Sequence, residues 1–175
     1  LTLLAKTLLK QKKYHEAIAI CRTILRRHSD SIDAYEIMAA SYIAIDSIEI
    51  AKLLLMKGLE IKKDSAPLKY QLSRLNLKGN DLTATIRILT DISTKTPDHI
   101  NSIELLAKLA VTNRDYPLAA KSFNHLLKLN SADNKRDNFY KIGVAISHRG
   151  IGEYDKAKQI YKDTLDINPD DTVSF

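Results

Sequence analysis

Apolar-rich segments alternate along the whole chain with short polar or glycine-containing turns. Leu, Ile, Ala and Lys dominate these segments, a composition that suits helices. Five Gly and four Pro are too few for an all-β protein, which needs many tight turns. The pattern predicts an all-α protein. The predicted helices cover 1–10, 14–28, 32–45, 48–62, 66–78, 82–95, 100–112, 116–129, 136–149 and 154–167.

The helices recur as pairs at a fixed interval. Each second helix opens on a large residue that is followed three positions later by a small one. These pairs are Tyr14/Ala17, Ile48/Ala51, Leu82/Thr85, Tyr116/Ala119 and Tyr154/Ala157. The first four pairs are 34 residues apart and the last step is 38. Such self-similarity is the signature of a repeat protein.

A second small residue marks the middle of each first helix. The residues at this marker are Ala5, Ala39, Ser73, Ala107 and Gly143. Small residues at both marks let two helices cross within about 8–10 Å. One pair cannot bury its apolar stripe alone, so neighbouring pairs must stack. The four extra residues of the last step are predicted to divide equally between the loop at 133–135 and the turn at 150–153.

These marks resemble the tetratricopeptide repeat family over the whole chain. The fifth unit is the most similar, with Gly143, the Gly152–Ala157 segment and Asn168-Pro169 at the family's positions. The third unit departs from the pattern at Lys69, where the family prefers a large apolar residue, and at Thr85, where it prefers Ala. The resemblance implies a right-handed α-α superhelix in a single array. Its units are expected at about 1–31, 32–65, 66–99, 100–133 and 136–171, with the start of a further unit at 172–175. A chain that starts and stops within repeats is expected to be part of a longer protein.

The resemblance also implies that the first helices line a concave groove in which partners lie. The groove residues expected to contact a partner are Lys6, Lys10, Tyr70, Arg74, Lys78, Lys108, Tyr140 and Lys141. Tyr70, Arg74 and Lys78 lie on one helix face and offer, in that order, a ring for stacking, a guanidinium fork and a point charge. The alternative is that the apolar groove positions are core between repeats and that the charges are only solvated.

No constellation of catalytic or metal-binding residues is visible in the sequence. The five His residues are scattered over different units without metal-ligand spacing, and the one cysteine, Cys21, falls on a packing face. No glycine-rich phosphate loop or nucleophile elbow occurs. We therefore expect a protein that is not an enzyme and has no cofactor and no metal. A lone cysteine favours a reducing compartment such as the cytoplasm.

The expected function is that of a scaffold or adaptor for protein–protein interaction. The groove mixes apolar and basic side chains, which suits an acidic or amphipathic peptide. One alternative is an accessory domain of a larger enzyme or signalling protein, where the repeats dock a substrate or partner. Nucleic-acid binding is a third possibility, suggested by the net charge of +6, but the lysines are not interleaved with aromatics. No stretch is long and apolar enough to span a membrane.

Some family members clamp the C-terminal carboxylate of chaperones with Lys, Asn and Arg side chains. The matching positions here hold Thr2, Lys6, Ile37, Pro67 and Gln71. This clamp is therefore expected to be absent.

Overall fold

The computed structural model describes residues 1–129 and 134–167, and all regular structure within them is helical. The helices are α1 (Thr2–Lys10), α2 (Tyr14–Arg27), α3 (Ile32–Ala44), α4 (Ile48–Ile61), α5 (Ala66–Lys78), α6 (Leu82–Lys95), α7 (Ile100–Thr112), α8 (Tyr116–Leu129), α9 (Asn134–Ile151) and α10 (Tyr154–Ile167). The all-α class and the helix pairs are confirmed. The Asn168-Pro169 motif of the fifth unit and the predicted start of a further unit at 172–175 lie outside the described residues.

The chain divides into two compact units. The first spans Leu1–Ile92 and the second Ser93–Phe175, with the boundary inside the last turn of α6. In the first unit α3 is the central helix, because nine of its thirteen residues are buried. In the second unit the core gathers side chains of α7, α8 and α9 around Phe123 and Tyr140. The single array expected from the sequence stays a prediction.

The small residues of the second helices occupy equivalent environments. Ala17, Ala51, Thr85 and Ala119 are fully buried, and Ala157 is 3% exposed. In each case the backbone N–H donates to the carbonyl of the residue that precedes the helix, at 3.0–3.1 Å. The repeat therefore sets both the packing and the helix start at these positions.

The third unit accommodates its two departures with polar contacts. The Thr85 hydroxyl donates to the carbonyls of Asp81 (2.7 Å) and Ser73 (3.3 Å), so the extra polar atom is satisfied at the helix crossing. The Lys69 ammonium lies 2.8 Å from Asp64 and 2.6 Å from Asp91. These two hydrogen bonds raise the pKa of Lys69 against the smaller effect of burial. An ion-paired cation thus replaces the apolar residue that the family prefers.

The same tight turn follows every first helix. One residue of each turn has a left-handed backbone: Lys12, Asp46, Asn80 and Arg114 at φ 59–62°, and Gly152 at φ 90°. In the fourth turn the N–H of Arg114 donates to Val111 at 3.0 Å and the N–H of Asp115 to Ala110 at 2.8 Å. This pair of bonds is the Schellman motif, which satisfies carbonyls at a helix end. In the third turn the left-handed residue is Asn80 and not the neighbouring Gly79, whose φ is −81°.

The predicted register of α9 is wrong by two residues. The left-handed turn residue, like the small residue of the second helix, advances by 38 residues between the fourth and fifth units, from Arg114 to Gly152. The middle of the first helix advances equally, from Ala107 to the fully buried Ala145 rather than to Gly143. All four extra residues therefore precede the middle of α9, and the turn at 150–153 is not longer than its counterparts. The helix instead extends from Asn134 to Ile151.

Candidate functional site

The candidate binding surface is the side of the first helices that faces away from their own second helices. We call its members groove-face residues. Contacts with the first helix of a neighbouring repeat place Lys6, Lys78 and Lys108 there. Lys10 lines a cleft between two first helices, and Tyr70 and Arg74 lie on α5 with Lys78. Their neighbours decide which of them are available to a partner.

Lys6 of α1 forms an ion pair with α3, the first helix of the next repeat. Its ammonium lies 3.0 Å from the Asp33 carboxylate of α3, with about half of each side chain exposed. Next to this pair, burial raises the pKa of Glu36, while the nearby Lys6 charge and a hydrogen bond with Gln71 act to lower it. The contact joins two consecutive helices of the groove face.

Arg74 and Lys78 of α5 make comparable contacts. The Arg74 guanidinium donates to the Gln71 side-chain carbonyl at 2.9 Å. The Lys78 ammonium donates to the Ile43 carbonyl at 3.0 Å, in the last turn of α3, and to the Asp46 carboxylate at 2.6 Å, in the turn that follows. The predicted fork and point charge are thus already bound within the chain, and Tyr70 is half-buried. A partner would have to compete for them.

A cleft of about 280 Å³ opens between α1 and α3 in the first unit. Its lining is largely apolar, with Leu3, Leu9 and Ile37 beside Lys6 and Lys10. Lys10 is exposed and makes no ion pair or hydrogen bond within the described residues. This side chain is the free cation of the cleft.

A second cleft, of about 260 Å³, lies in the second unit between α7 and α9. Its floor and walls are apolar. The lining consists of Val111 and Thr112 with Lys108 on α7, Phe123 on α8, and Phe139, Ile142, Gly143 and Ile146 on α9. Phe139 is 46% exposed, so its ring extends the apolar lining of the cleft to solvent.

Lys108 stands over the Phe139 ring, with its ammonium 5.3 Å from the ring centroid. The cation–π attraction holds a positive charge at the rim of the second cleft. Phe139 meets Phe123 edge-on at a centroid distance of 6.1 Å, and a Cβ at Gly143 would lie only 2.6 Å from the Phe123 ring. The absence of a side chain at Gly143 is therefore what lets Phe123 reach the cleft.

Tyr140 does not lie on the groove face. Only 1% of it is exposed, and its hydroxyl donates to the Glu104 carboxylate. Burial, reinforced by this hydrogen bond, raises the pKa of Tyr140 to about 12. The prediction that Tyr140 contacts a partner is contradicted, because the register of α9 turns this ring into the core. Lys141, its predicted companion, is half-buried.

The groove face of α9 is formed instead by Phe139, Ile142 and Ile146, which the sequence prediction missed. A signal for them existed. Lys108 precedes the left-handed Arg114 by six residues, and the residue six before Gly152 is Ile146. Glu104 precedes Arg114 by ten residues, and the residue ten before Gly152 is Ile142. The false match of Gly143 to the family's small residue concealed this register.

Metal ligands, membrane-spanning helices and a reactive thiol are the other features that would bear on function in the described part of the chain. No group of three or more His, Cys, Asp or Glu side chains could hold a metal ion there. None of the described helices combines the length and the apolar character that crossing a bilayer requires. Cys21 is fully buried, and this burial raises its pKa to about 11, as suits a core residue.

Comparison with known proteins bears on the fold. Residues 1–31 match the family model of the tetratricopeptide repeat. No curated protein matches the chain in sequence. Among solved structures, the MamA protein is similar with a TM-score of 0.70 and 14% identity, over 98% of this chain and 93% of that chain.

Two further structures are similar to this chain. One is YrrB, described as a TPR protein with an unusual peptide-binding site, with a TM-score of 0.67 and 16% identity over 95% of this chain and 84% of that chain. The other is Naa15/Naa10 bound to HypK-THB, with a TM-score of 0.75 and 20% identity over 94% of this chain and only 24% of that chain. Helix pairs, repeat interval, family match and structural neighbours agree, and the chain is a protein of tetratricopeptide-repeat fold.

Proposed function

We propose that this chain is a non-enzymatic scaffold that binds a peptide or protein segment on its groove face. The observation that carries the proposal is the cleft between α7 and α9, where an exposed Phe139 lies beneath the Lys108 ammonium. Helix-lined apolar grooves of this kind accept amphipathic segments through a few anchoring side chains. The similarity to a TPR protein described as having a peptide-binding site supports the same function.

The cleft favours a ligand of particular chemistry. Phe139, Ile142 and Ile146 offer an apolar surface that a large apolar side chain would bury. Lys108 at the rim would attract a carboxylate a few residues away on the same ligand. The ligand we propose is therefore an amphipathic segment with at least one acidic residue beside its apolar anchor.

Selection from a displayed library of random peptides of about twelve residues would test this proposal. The expected enriched sequences combine a large apolar residue with Asp or Glu. Lys108→Glu should weaken an enriched acidic peptide by about tenfold in fluorescence anisotropy, because an attraction becomes a repulsion. The same peptide with its acids changed to amides should lose most of this sensitivity.

Lys128→Glu is the matched control, since it makes the same charge change at an exposed site on α8 outside the cleft. It should leave binding within about twofold of the unmodified chain. Equal losses for Lys108→Glu and Lys128→Glu would reduce the effect to net charge and overturn the assignment of the cleft. Failure to enrich any peptide would count against the binding function itself.

We also propose that the chain lacks the carboxylate clamp of chaperone-binding relatives. Of the matching positions, Ile37 carries no polar side-chain group and is 1% exposed. Gln71 is buried and its side-chain carbonyl already accepts from Arg74. A peptide ending in acidic residues and a free carboxylate should therefore bind no better than its C-terminally amidated form.

A second candidate is an accessory domain of a larger protein, docking a partner for an activity located elsewhere. It is favoured by the similarity to Naa15/Naa10, where an array of this size matches only about a quarter of a longer chain. The length of the complete gene product distinguishes the two. A product that ends near residue 175 would remove this candidate.

A further inference from the structure

The second helix α4 exposes an apolar ridge. Ile50 is 46% exposed, Leu53 66% and Met56 52%, and their spacing of three residues places them on one face of the helix. The opposite face, with Ala51, Leu55 and Gly58, is buried in the first unit. Single exposed apolar residues are ordinary, but three in a row on a solvent face mark a contact surface.

The other repeats show that the fold does not require apolar residues at these positions. The corresponding residues are Glu16, Ala19 and Arg22 on α2; Ala84, Arg87 and Thr90 on α6; Leu118, Lys121 and Asn124 on α8; and Lys156, Gln159 and Lys162 on α10. Each of those helices carries at least one charged or strongly polar side chain there and no more than one large apolar one. The ridge is therefore a property of α4 and not of the repeat.

The charges beside the ridge are arranged symmetrically about Leu53. Glu49 precedes Leu53 by four residues and Lys57 follows it by four, while Ile50 and Met56 stand three residues away on either side. Neither Glu49 nor Lys57 forms an ion pair or hydrogen bond within the described part of the chain. If two such helices lie antiparallel with Leu53 opposite Leu53, each Glu49 faces the other copy's Lys57 and each Ile50 faces a Met56.

We propose that α4 is a self-association surface, which pairs antiparallel with α4 of a second copy of this chain about a two-fold axis at Leu53. An interface of this type is isologous, because the same patch serves both copies and every contact occurs twice. The self-complementary pair of Glu49 and Lys57 on either side of the ridge favours a second copy over an unrelated partner. Farther out, Glu60 would lie opposite Asp46, whose carboxylate is already paired with Lys78. The buried surface is that of one helix pair, so the association is weak and concentration-dependent.

Sedimentation of the chain over a concentration series up to about 1 mM tests the proposal. The expected result is a monomer–dimer equilibrium that Leu53→Lys weakens by about a hundredfold, since both copies lose an apolar contact and gain a buried charge. Lys121→Glu is the matched control, a charge change at the same repeat position on α8, and should leave the equilibrium unchanged. At a concentration where both chains are monomeric, helix content and thermal unfolding of Leu53→Lys should match the unmodified chain because the side chain is exposed.

Charge exchange tests the antiparallel register. Glu49→Lys and Lys57→Glu should each weaken the dimer, because each places like charges opposite one another. An equimolar mixture of the two single variants should dimerise again, as should the double variant, because opposite charges then face each other. A monomer at every concentration, a dimer insensitive to Leu53→Lys, or a mixture that stays monomeric would each overturn the proposal.

Discussion

Arg114 offers a direct way to raise the stability of the chain. Its backbone is left-handed, with φ 59°, and its side chain makes no hydrogen bond or ion pair within the described residues. A left-handed conformation costs a residue with a Cβ about 1–2 kcal/mol, whereas glycine avoids this cost. Glycine loses about 0.5–1 kcal/mol more backbone entropy on folding. Arg114→Gly should therefore stabilise the second unit by about 0.5–1 kcal/mol.

For a chain of this size, such a gain raises the midpoint of thermal unfolding by about 1–4 °C. Circular dichroism at a fixed scan rate would measure it. Arg114→Ala is the control, since it also removes the charge but keeps a Cβ, and should give no rise. Asn80→Gly should give a smaller rise, because asparagine tolerates the left-handed region better than arginine does. An equal rise for Arg114→Ala and Arg114→Gly would refute the backbone argument and assign the effect to charge.

Four further predictions concern close packing and buried groups. Gly150→Ala should destabilise the chain by about 1–3 kcal/mol, because a Cβ there would overlap the ring of Tyr116. Gly79→Ala should not destabilise it, because a Cβ there would have no neighbour closer than 3.5 Å. Urea unfolding would compare the two variants. Tyr140→Phe should cost about 1–2 kcal/mol by leaving the Glu104 carboxylate without its donor. In the unmodified chain Tyr140 should ionise near pH 12 by ultraviolet titration. Since its folded pKa is raised, the stability it contributes is full below about pH 10 and is lost as the pH rises through about 12. Cys21 should resist a thiol reagent at pH 8 until the chain unfolds, and rapid labelling of the folded chain would contradict its burial.

Much of the fold could be predicted because small residues recur in the sequence at the interval of the repeat. Small residues such as Ala17 and Ala119 must lie at helix crossings, and their spacing located nine of the ten helices to within a residue at each end. The register of α9 could not be fixed this way, because Gly143 and Ala145 both satisfy the demand for a small residue. Only the turn at Gly152 decides between them.

The binding surface was less predictable than the fold. Periodicity assigns a residue to a helix face but does not say what its side chain contacts. Lys6 and Asp33 are 27 residues apart on different helices, and nothing in their local sequence announces the ion pair. Tyr140 was misplaced for the other reason, since an error of two residues in a helix rotates a side chain from surface to core.

Ion pairs within the chain reduce how much the groove-face cations can add to the affinity for an acidic ligand. A ligand carboxylate that binds Lys6 or Lys78 must displace the carboxylate of Asp33 or Asp46 from that lysine. Each such exchange therefore replaces one ion pair with another. Counting basic residues would then overstate both the electrostatic gain and its sensitivity to ionic strength. A shallow dependence of affinity on salt, close to that of one or two unpaired lysines, is the consequence for any acidic ligand.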